Sequence, residues 1–212
     1  MAGNEKPSPP DQMGCAHVLC GNGRAAGRIQ YVVLDRDGTL IRHVPYLSRP
    51  EQVEVLPGVV AGLAELRKAG CKLFLHTNQS GIGRGYFSLE EALSCNEEML
   101  RQIGLGAQLF ERVCVAPEAP DQPAEYRKPS PKFGAELIEK YKLKPRDLCY
   151  VGDNVSDLLT ARNIGCHGIG VNTGLHDLRL LLREQQLDDG FPVFESFLDA
   201  VSHVLAHDQV IA

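Results

Sequence analysis

Two carboxylates follow the first continuous apolar run of the chain. The run YVVLD (31–35) leads directly into RDGTL, so Asp35 and Asp37 lie two residues apart where this predicted strand ends. Residues of equal parity on a strand point to the same side, which would bring both carboxylates to one site. An acidic turn explains the same residues, because Asp-Gly is common in turns. The pair alone therefore leaves both interpretations open.

A second acidic segment follows another apolar run. In VGDNVSD (151–157), Asp153 stands where the predicted strand ends and Asp157 lies one helical turn later. In a doubly wound sheet these two strands can be neighbours, and Asp35, Asp37 and Asp153 would then converge at one edge. Like charges so close together need a hard cation, and carboxylate oxygens suit Mg²⁺. The two segments together predict a magnesium site.

Two further segments supply hydrogen-bond donors and positive charge. In HTNQSGIGRG (76–85), Thr77 offers a hydroxyl and Asn78 an amide, and the three glycines predict a loop whose backbone N–H groups approach an anion. The segment RKPSP (127–131) places an arginine and a lysine directly before a helix start, where phosphate is attracted. A metal cage, two cations and several donors predict phosphoryl transfer.

The elements that must position these residues alternate along the chain. Strands are predicted at 31–35, 71–78, 111–116, 148–152, 167–171 and, as a short edge strand, 191–194. Helices are predicted from Val59 to before Gly70, and at 88–103, 131–141, 155–164, 175–187 and 196–206. This alternation predicts the α/β class, with a single Rossmann-like domain at 29–212 whose mostly parallel sheet is flanked by helices. Residues 1–28, rich in Pro, Gly, Asn and Ala, are predicted to be a flexible leader.

Composition narrows the function classes. The 212 residues include 22 Lys and Arg against 27 Asp and Glu, and the net charge of -5 argues against a nucleic-acid partner. Seven scattered cysteines favour free thiols in a reducing compartment, which predicts a cytoplasmic protein. We find no apolar run of the ~20 residues that a membrane span needs, so no membrane association is expected. Nothing in the sequence identifies a protein partner; a monomer is the simplest expectation.

The segments DRDGT, HTNQSGIGRG, RKPSP and VGDNVSD, in this order, resemble the four motifs of the haloacid dehalogenase-like (HAD) phosphohydrolases. More narrowly, they are similar to the branch that contains D-glycero-D-manno-heptose 1,7-bisphosphate phosphatase and the histidinol-phosphatase domain. The resemblance covers about residues 30–172. It implies a Mg²⁺-dependent phosphatase that forms an aspartyl-phosphate and acts on a small phosphorylated metabolite, with a sugar bisphosphate of the heptose type favoured.

The resemblance also implies roles for the residues at the motif positions. Asp35 would be the nucleophile, and Asp37 would protonate the leaving alkoxide and later activate water. Thr77 and Lys128 would hydrogen-bond the transferred oxygens.

The same resemblance implies a metal site and substrate contacts. Mg²⁺ would be held by the Asp35 carboxylate, the Asp37 backbone carbonyl and Asp153, with Asp157 and Asn154 supporting it from outside. The branch's positions for substrate contacts are here Asn78, Gln79, Ser80 and Arg127.

Spacing predicts an open mouth. Only 40 residues separate Asp37 from Thr77, and 51 separate Thr77 from Lys128, which leaves no room for a large cap domain. Selectivity is then expected in loops 42–57, 79–87 and 117–127. His43 and Tyr46, in the first loop, are candidate substrate contacts, and ordinary loop residues are an equal alternative.

The chain departs from its branch at a zinc site. Many members hold zinc in the loop before the Arg-Lys motif, through a Cys-x-His and a Cys-x-Cys pair. Here Cys114 stands at the first ligand position, but Ala116, Ala124 and Tyr126 stand at the others. One thiolate cannot hold tetrahedral zinc, so no zinc is predicted, and the loop's prolines are expected to stiffen it. Asn154 stands where heptose bisphosphate phosphatases tend to carry Lys, which would lower affinity for a second phosphate.

Three alternatives to the heptose-type activity remain. Histidinol phosphate is one possible substrate. Polynucleotide 3′-phosphatases carry a segment similar to GIGRG, but the excess of acidic over basic residues argues against this activity. A non-catalytic phosphate-binding or phospho-receiver module would also use an acidic cluster with Thr and Lys. Asp37 distinguishes this last alternative, because a receiver needs no general acid.

Overall fold

Six short strands form one parallel sheet in the order β3-β2-β1-β4-β5-β6. The computed structural model describes residues 29–187 and 190–206. The strands are β1 Tyr31–Leu34, β2 Lys72–Asn78, β3 Arg112–Ala116, β4 Leu148–Gly152, β5 His167–Val171 and β6 Val193–Phe194. The adjacency of β1 and β4 that the acidic segments required is therefore confirmed, with Leu34 in register with Val151.

Helices cover both faces of this sheet. They are α1 Val59–Lys68, α2 Ser80–Gly83, α3 Leu89–Ile103, α4 Lys132–Tyr141, α5 Val155–Ile164, α6 Leu178–Glu184 and α7 Phe197–Ala206. Short 3-10 turns lie at Pro50–Gln52 and Pro145–Asp147. The predicted capping box starts α3: the Ser88 hydroxyl accepts from the Glu91 N–H, and the Glu91 carboxylate accepts from the Ser88 N–H.

The core is divided by the sheet into two layers. On β1, Val32 and Leu34 face the layer built with α1, α3 and α7, whereas Val33 faces the layer that contains Phe74, Phe133 and Tyr150. Period-two alternation on a strand buried on both faces produces this division, since apolar side chains are needed on each side. The predicted α/β class with a parallel sheet is confirmed.

Several predicted boundaries were wrong, most of them by one residue. The helix predicted at 175–187 is shorter, because the Asp177 carboxylate accepts from the Leu180 N–H and α6 begins only at Leu178. The helix predicted from Pro131 begins at Lys132. The edge strand predicted at 191–194 is reduced to Val193–Phe194.

The connections between strands are filled by these helices and turns. Between β1 and β2, Ile41 bridges to Val55 and folds loop 42–57 back over the sheet edge. No separate cap domain is inserted within residues 29–187, as the spacing predicted. The predicted leader at 1–28 lies outside the described residues. None of the described helices is long and apolar enough to cross a membrane.

Candidate active site

The acidic segments and the lysine meet at the carboxyl edge of β1 and β4. Asp35 follows β1, and its backbone N–H donates to the Val151 carbonyl at 3.0 Å, which continues the ladder between the two strands. The Lys128 ammonium, whose side chain is 2% exposed, lies 2.7 Å from Asp35 Oδ1 and 2.5 Å from Asp157 Oδ1. The sheet therefore holds a buried cation between two carboxylates that are far apart in sequence.

Negative charge exceeds positive charge in this cluster. Carboxylate oxygens of Asp35, Asp153 and Asp157 all lie within 4.8 Å of one another. Burial, opposed by Lys128, raises the pKa of Asp157 to about 7, and burial together with the Asp35 charge raises the pKa of Asp153 well above its ordinary range. Burial alone would lower the pKa of Lys128, but Asp157 and Asp35 outweigh it and raise it, so the amine stays charged. Three carboxylates around one ammonium leave a deficit of positive charge that a divalent cation would offset.

The carboxylate cluster differs from the predicted one in one member. Asp157, expected only as a supporting residue, lies within it, whereas the Asp37 carboxylate is held elsewhere. The Asp37 oxygens accept from Arg36 Nε at 3.1 Å, from an Arg36 terminal nitrogen at 3.2 Å, and from Gln79 Nε2 at 2.8 Å. Both Asp35 and Asp37 nevertheless line one cavity of about 440 Å³, as their two-residue spacing predicted.

Arg36 is a site residue that the sequence analysis missed. Its side chain is fully buried, and besides Asp37 it donates to Asn96 Oδ1 of α3 at 2.9 Å. Strand parity directs it away from its two neighbours, so the DRD spacing gave no sign that it would fold back onto Asp37. It anchors the proposed proton donor to the helix layer.

The end of β2 organises the remaining polar groups. Thr77 is buried, and its Oγ1 accepts from Gln79 Nε2 at 2.8 Å. The Asn78 amide is paired with the backbone of Lys128: Oδ1 accepts from its N–H at 2.8 Å and Nδ2 donates to its carbonyl at 3.2 Å. Asn78 and Gln79, both expected as substrate contacts, thus form hydrogen bonds that position Lys128 and Asp37.

The other expected contacts are divided between two adjoining cavities. His43, Ser80 and Arg127 line the main cavity, and so does Asn154, which was expected to support the metal site. Tyr46 lines only the neighbouring one, which shares Asp37 with the main cavity.

Residues after β5 complete the main cavity and were not expected. Leu175 and His176 line it, because the carboxyl end of β5 lies at the same edge of the parallel sheet as those of β1 and β4. The rule that the carboxyl ends of parallel strands meet at one edge could have predicted these two residues. The sequence analysis placed them in a helix predicted from residue 175 instead. Close approach also explains two glycines, since a Cβ on Gly38 or Gly174 would lie 2.3 or 1.9 Å from Asp153 Oδ2.

In the glycine-rich segment 79–87, which was predicted to approach an anion through its backbone N–H groups, those of residues 82–86 are bonded within the fold. The backbone N–H groups of residues 82–86 donate to carbonyls at positions 79–82 and 117, and four residues form α2. Packing requires two of its glycines, because a Cβ on Gly81 would lie 2.1 Å from Phe87 and one on Gly83 would lie 2.7 Å from the Pro117 carbonyl. The amides of residues 82–86 are therefore already bonded within the fold.

Loop 117–127, where the branch's zinc site would lie, is organised around a carboxylate. Glu118 Oε1 accepts from the backbone N–H groups of Glu125 and Tyr126 at 3.0 and 2.6 Å. The Tyr126 carbonyl lies 2.9 Å from His76 Nε2 on β2. Cys114 is buried on β3, and burial raises the pKa of its thiol to about 12. The absence of zinc stays a prediction.

The chain is similar in sequence to known phosphatases. The HAD-hydrolase-like family model matches residues 125–200. A D-glycero-beta-D-manno-heptose-1,7-bisphosphate 7-phosphatase of Pseudomonas putida is 30% identical over 147 residues, which cover 69% of this chain and 84% of the relative. The chain belongs to the haloacid dehalogenase-like phosphohydrolases. It is therefore a phosphatase, a phosphoric monoester hydrolase, of the branch that the motifs indicated.

A solved structure agrees over most of the fold. The D,D-heptose 1,7-bisphosphate phosphatase of Bordetella bronchiseptica, complexed with magnesium and phosphate, superposes with a TM-score of 0.76 at 27% identity. The match covers 84% of this chain and 99% of that one. The sequence of a D-glycero-beta-D-manno-heptose-1,7-bisphosphate 7-phosphatase of Bordetella bronchiseptica is 28% identical to this chain over 178 residues. The match covers 84% of this chain and 98% of that relative. The similarity to this HAD phosphatase therefore extends well beyond the four motifs.

Proposed function

We propose that this HAD phosphatase hydrolyses a phosphorylated sugar in a Mg²⁺-dependent reaction through an aspartyl-phosphate on Asp35. One observation carries the proposal: the buried Asp35–Lys128 pair lies at a cavity that also exposes Asp37. A carboxylate that faces a cavity beside a fixed cation can act as nucleophile toward an anionic phosphate, because the cation offsets the repulsion between them.

The donor set fits a hard divalent cation. It consists of oxygens, and its three clustered carboxylates have one ammonium among them. The Asp35 carboxylate, the Asp37 backbone carbonyl and Asp153 would hold Mg²⁺, with Asp157 and Asn154 supporting the site. The ion would supply positive charge that lowers the repulsion between Asp35 and the phosphate dianion.

The protein's own groups account for both halves of the reaction. Asp35 attacks phosphorus, the bond to the leaving oxygen breaks, and protonated Asp37 gives that oxygen its proton. The resulting Asp37 carboxylate then takes a proton from a water molecule that attacks the same phosphorus, which frees Asp35 and inorganic phosphate. Lys128 and the Thr77 hydroxyl donate to the transferred oxygens. The Thr77 oxygen accepts from Gln79, which leaves its own proton for this purpose.

For the substrate, we propose D-glycero-D-manno-heptose 1,7-bisphosphate. The names of the relatives support this choice. Arg127, half-buried at the main cavity, is placed to meet a second anionic group. Its guanidinium also donates to the Glu118 carbonyl at 3.5 Å, which ties it to the carboxylate-centred loop.

The test is Mg²⁺-dependent phosphate release from the heptose bisphosphate and from a panel of other sugar phosphates. Asp35→Asn should lower kcat by at least about 10³-fold, since loss of a nucleophile removes the covalent route. Glu65→Gln, the same chemical change at an exposed position on α1, is the matched control and should retain activity. Acid-quenched wild-type enzyme should carry phosphate on Asp35. Full activity of Asp35→Asn would refute the mechanism, and a panel member preferred over the heptose would refute the substrate.

A further inference from the structure

A second cavity of about 350 Å³, which we call the side lobe, adjoins the main cavity and shares Asp37 with it. Its walls are mostly apolar and come from two loops and the segment after β5: Val44, Pro45, Tyr46, Leu47, Phe87 and Leu175. The polar groups at the junction, Asp37, His43, Asn78 and Ser80, are shared with the main cavity. Among the described residues that line the side lobe, none is Lys or Arg.

Apolar side chains are left in water at this opening. Tyr46 is 50% exposed and Leu175 is 62% exposed. Tyr86, itself exposed, meets the Tyr46 ring edge to face at a centroid distance of 4.7 Å. Tyr46 also has a φ of 53°, a left-handed conformation that is costly for a bulky residue. Residues in such costly conformations are found at ligand-binding sites. A ligand bound here would also cover apolar surface that otherwise faces solvent.

We propose that the side lobe binds the leaving group of the substrate, and that this leaving group carries a ring with an uncharged, apolar face. The inference rests on the proposed phosphatase mechanism, since Asp37 must reach the leaving oxygen to protonate it. The leaving group therefore extends from a point beside Asp37, which lines the side lobe as well as the main cavity. A second phosphate of the same substrate would lie outside the lobe, toward Arg127 in the main cavity.

Two kinds of ring offer the required surface. An aromatic ring presents its edge or face to Tyr46, and a pyranose ring presents the C–H bonds of one face to the same side chain. Acyclic alcohols lack such a surface. The prediction is a preference for a ring over an acyclic chain that depends on Tyr46 and Leu175.

The test uses phosphonates, whose P–C bond the enzyme cannot hydrolyse, so that affinity is measured without turnover. Titration calorimetry with Mg²⁺ compares benzylphosphonate, the phosphonate analogue of glucose 6-phosphate, and ethylphosphonate. At least one ring compound should bind about three- to tenfold more tightly than ethylphosphonate. The stronger of the two identifies the ring as aromatic or sugar.

Variants separate the side lobe from a general surface effect. Tyr46→Asn removes the ring but accepts the left-handed backbone, and Leu175→Ala shortens an exposed side chain, so both should fold. Each should reduce the preference for a ring to about twofold or less, whereas Leu198→Ala on α7 should leave it unchanged. Equal affinities for all three phosphonates in the wild type, or a preference that survives both variants, would overturn the proposal.

Hydrolysis of the matching phosphate esters is measured separately. If no ester is hydrolysed while the ring preference stands in the titrations, the proposed mechanism fails and the binding role of the lobe stands. If benzyl, glucose and ethyl esters are all hydrolysed with equal KM, the mechanism stands and the lobe proposal fails.

Discussion

Acid should destabilise this enzyme through His76, a buried histidine on β2. Its Nε2 lies 2.9 Å from the Tyr126 carbonyl and its Nδ1 lies 3.4 Å from the Tyr150 hydroxyl. Burial, and then the positive charge of Lys128, lower the pKa of His76 to about 3. The neutral ring donates from Nε2 to the segment that leads into Lys128, so it fixes the position of the proposed catalytic lysine.

The magnitude follows from the difference between the folded and unfolded states. The imidazole of an unfolded chain has a pKa of about 6.5. At pH values between this pKa and that of the folded state, the unfolded chain binds a proton at His76 and the folded chain does not. The stabilisation from neutral His76 is therefore fully present above about pH 6.5 and is lost as the pH falls toward about 3. From about pH 7.5 to about pH 5.0 the loss is about 2 kcal/mol, and at the acid limit it reaches roughly 5 kcal/mol.

Urea unfolding of the wild type and of His76→Gln at a series of pH values isolates this contribution. The glutamine amide can still donate toward Tyr126, and it does not titrate. The carboxylates contribute equally to both proteins, so the difference between the two pH profiles belongs to His76. The wild type should lose about 2 kcal/mol more than the variant between about pH 7.5 and about pH 5.0. Parallel profiles would refute the reasoning.

Three further substitutions test how the site is held. Arg36→Met removes the fully buried guanidinium that pairs with the half-buried Asp37 carboxylate and should lower the free energy of unfolding by about 3 kcal/mol; unchanged urea unfolding would contradict this. Glu118→Ala frees two backbone N–H groups, should cost about 1–3 kcal/mol in the same assay, and should raise KM more than it lowers kcat. Gly174→Ala brings a Cβ to 1.9 Å from Asp153 Oδ2 and should raise the Mg²⁺ concentration for half-maximal activity roughly 10–100-fold. An unshifted Mg²⁺ titration would show that Asp153 is not needed in its present place.

The sequence was sufficient wherever burial alone decides the structure. Runs such as YVVL and LCYVG are apolar at every position, as a strand covered on both faces requires, and their predicted bounds agree with the structure within a residue or two. The convergence of Asp35 and Asp153 followed from the same patterns, because the carboxyl ends of neighbouring parallel strands meet at one edge.

The sequence was insufficient wherever particular side-chain contacts, near or distant along the chain, decide the structure. A glycine at position 81 is compatible with an anion loop and with close packing, and the outcome depends on Phe87 lying against it. The burial of Arg36 depends on Asn96 being available from α3. The shorter α6 depends on the local capping choice of Asp177, which competes with a continuing apolar period.

The end of β2 explains how an open site keeps its geometry without a cap. In HTNQ (76–79), the histidine holds the segment before Lys128, the asparagine holds the backbone of Lys128, and the glutamine joins the threonine hydroxyl to Asp37. His76 and Asn78 belong to an interior strand of the sheet, and Gln79 follows it directly. The groups that His76 and Asn78 hold at positions 126 and 128 are backbone groups, so these bonds do not depend on which side chains the loops carry. Loops 42–57 and 117–127 can therefore diverge in sequence, and with them the choice of leaving group, while the groups proposed to act on phosphorus stay in place.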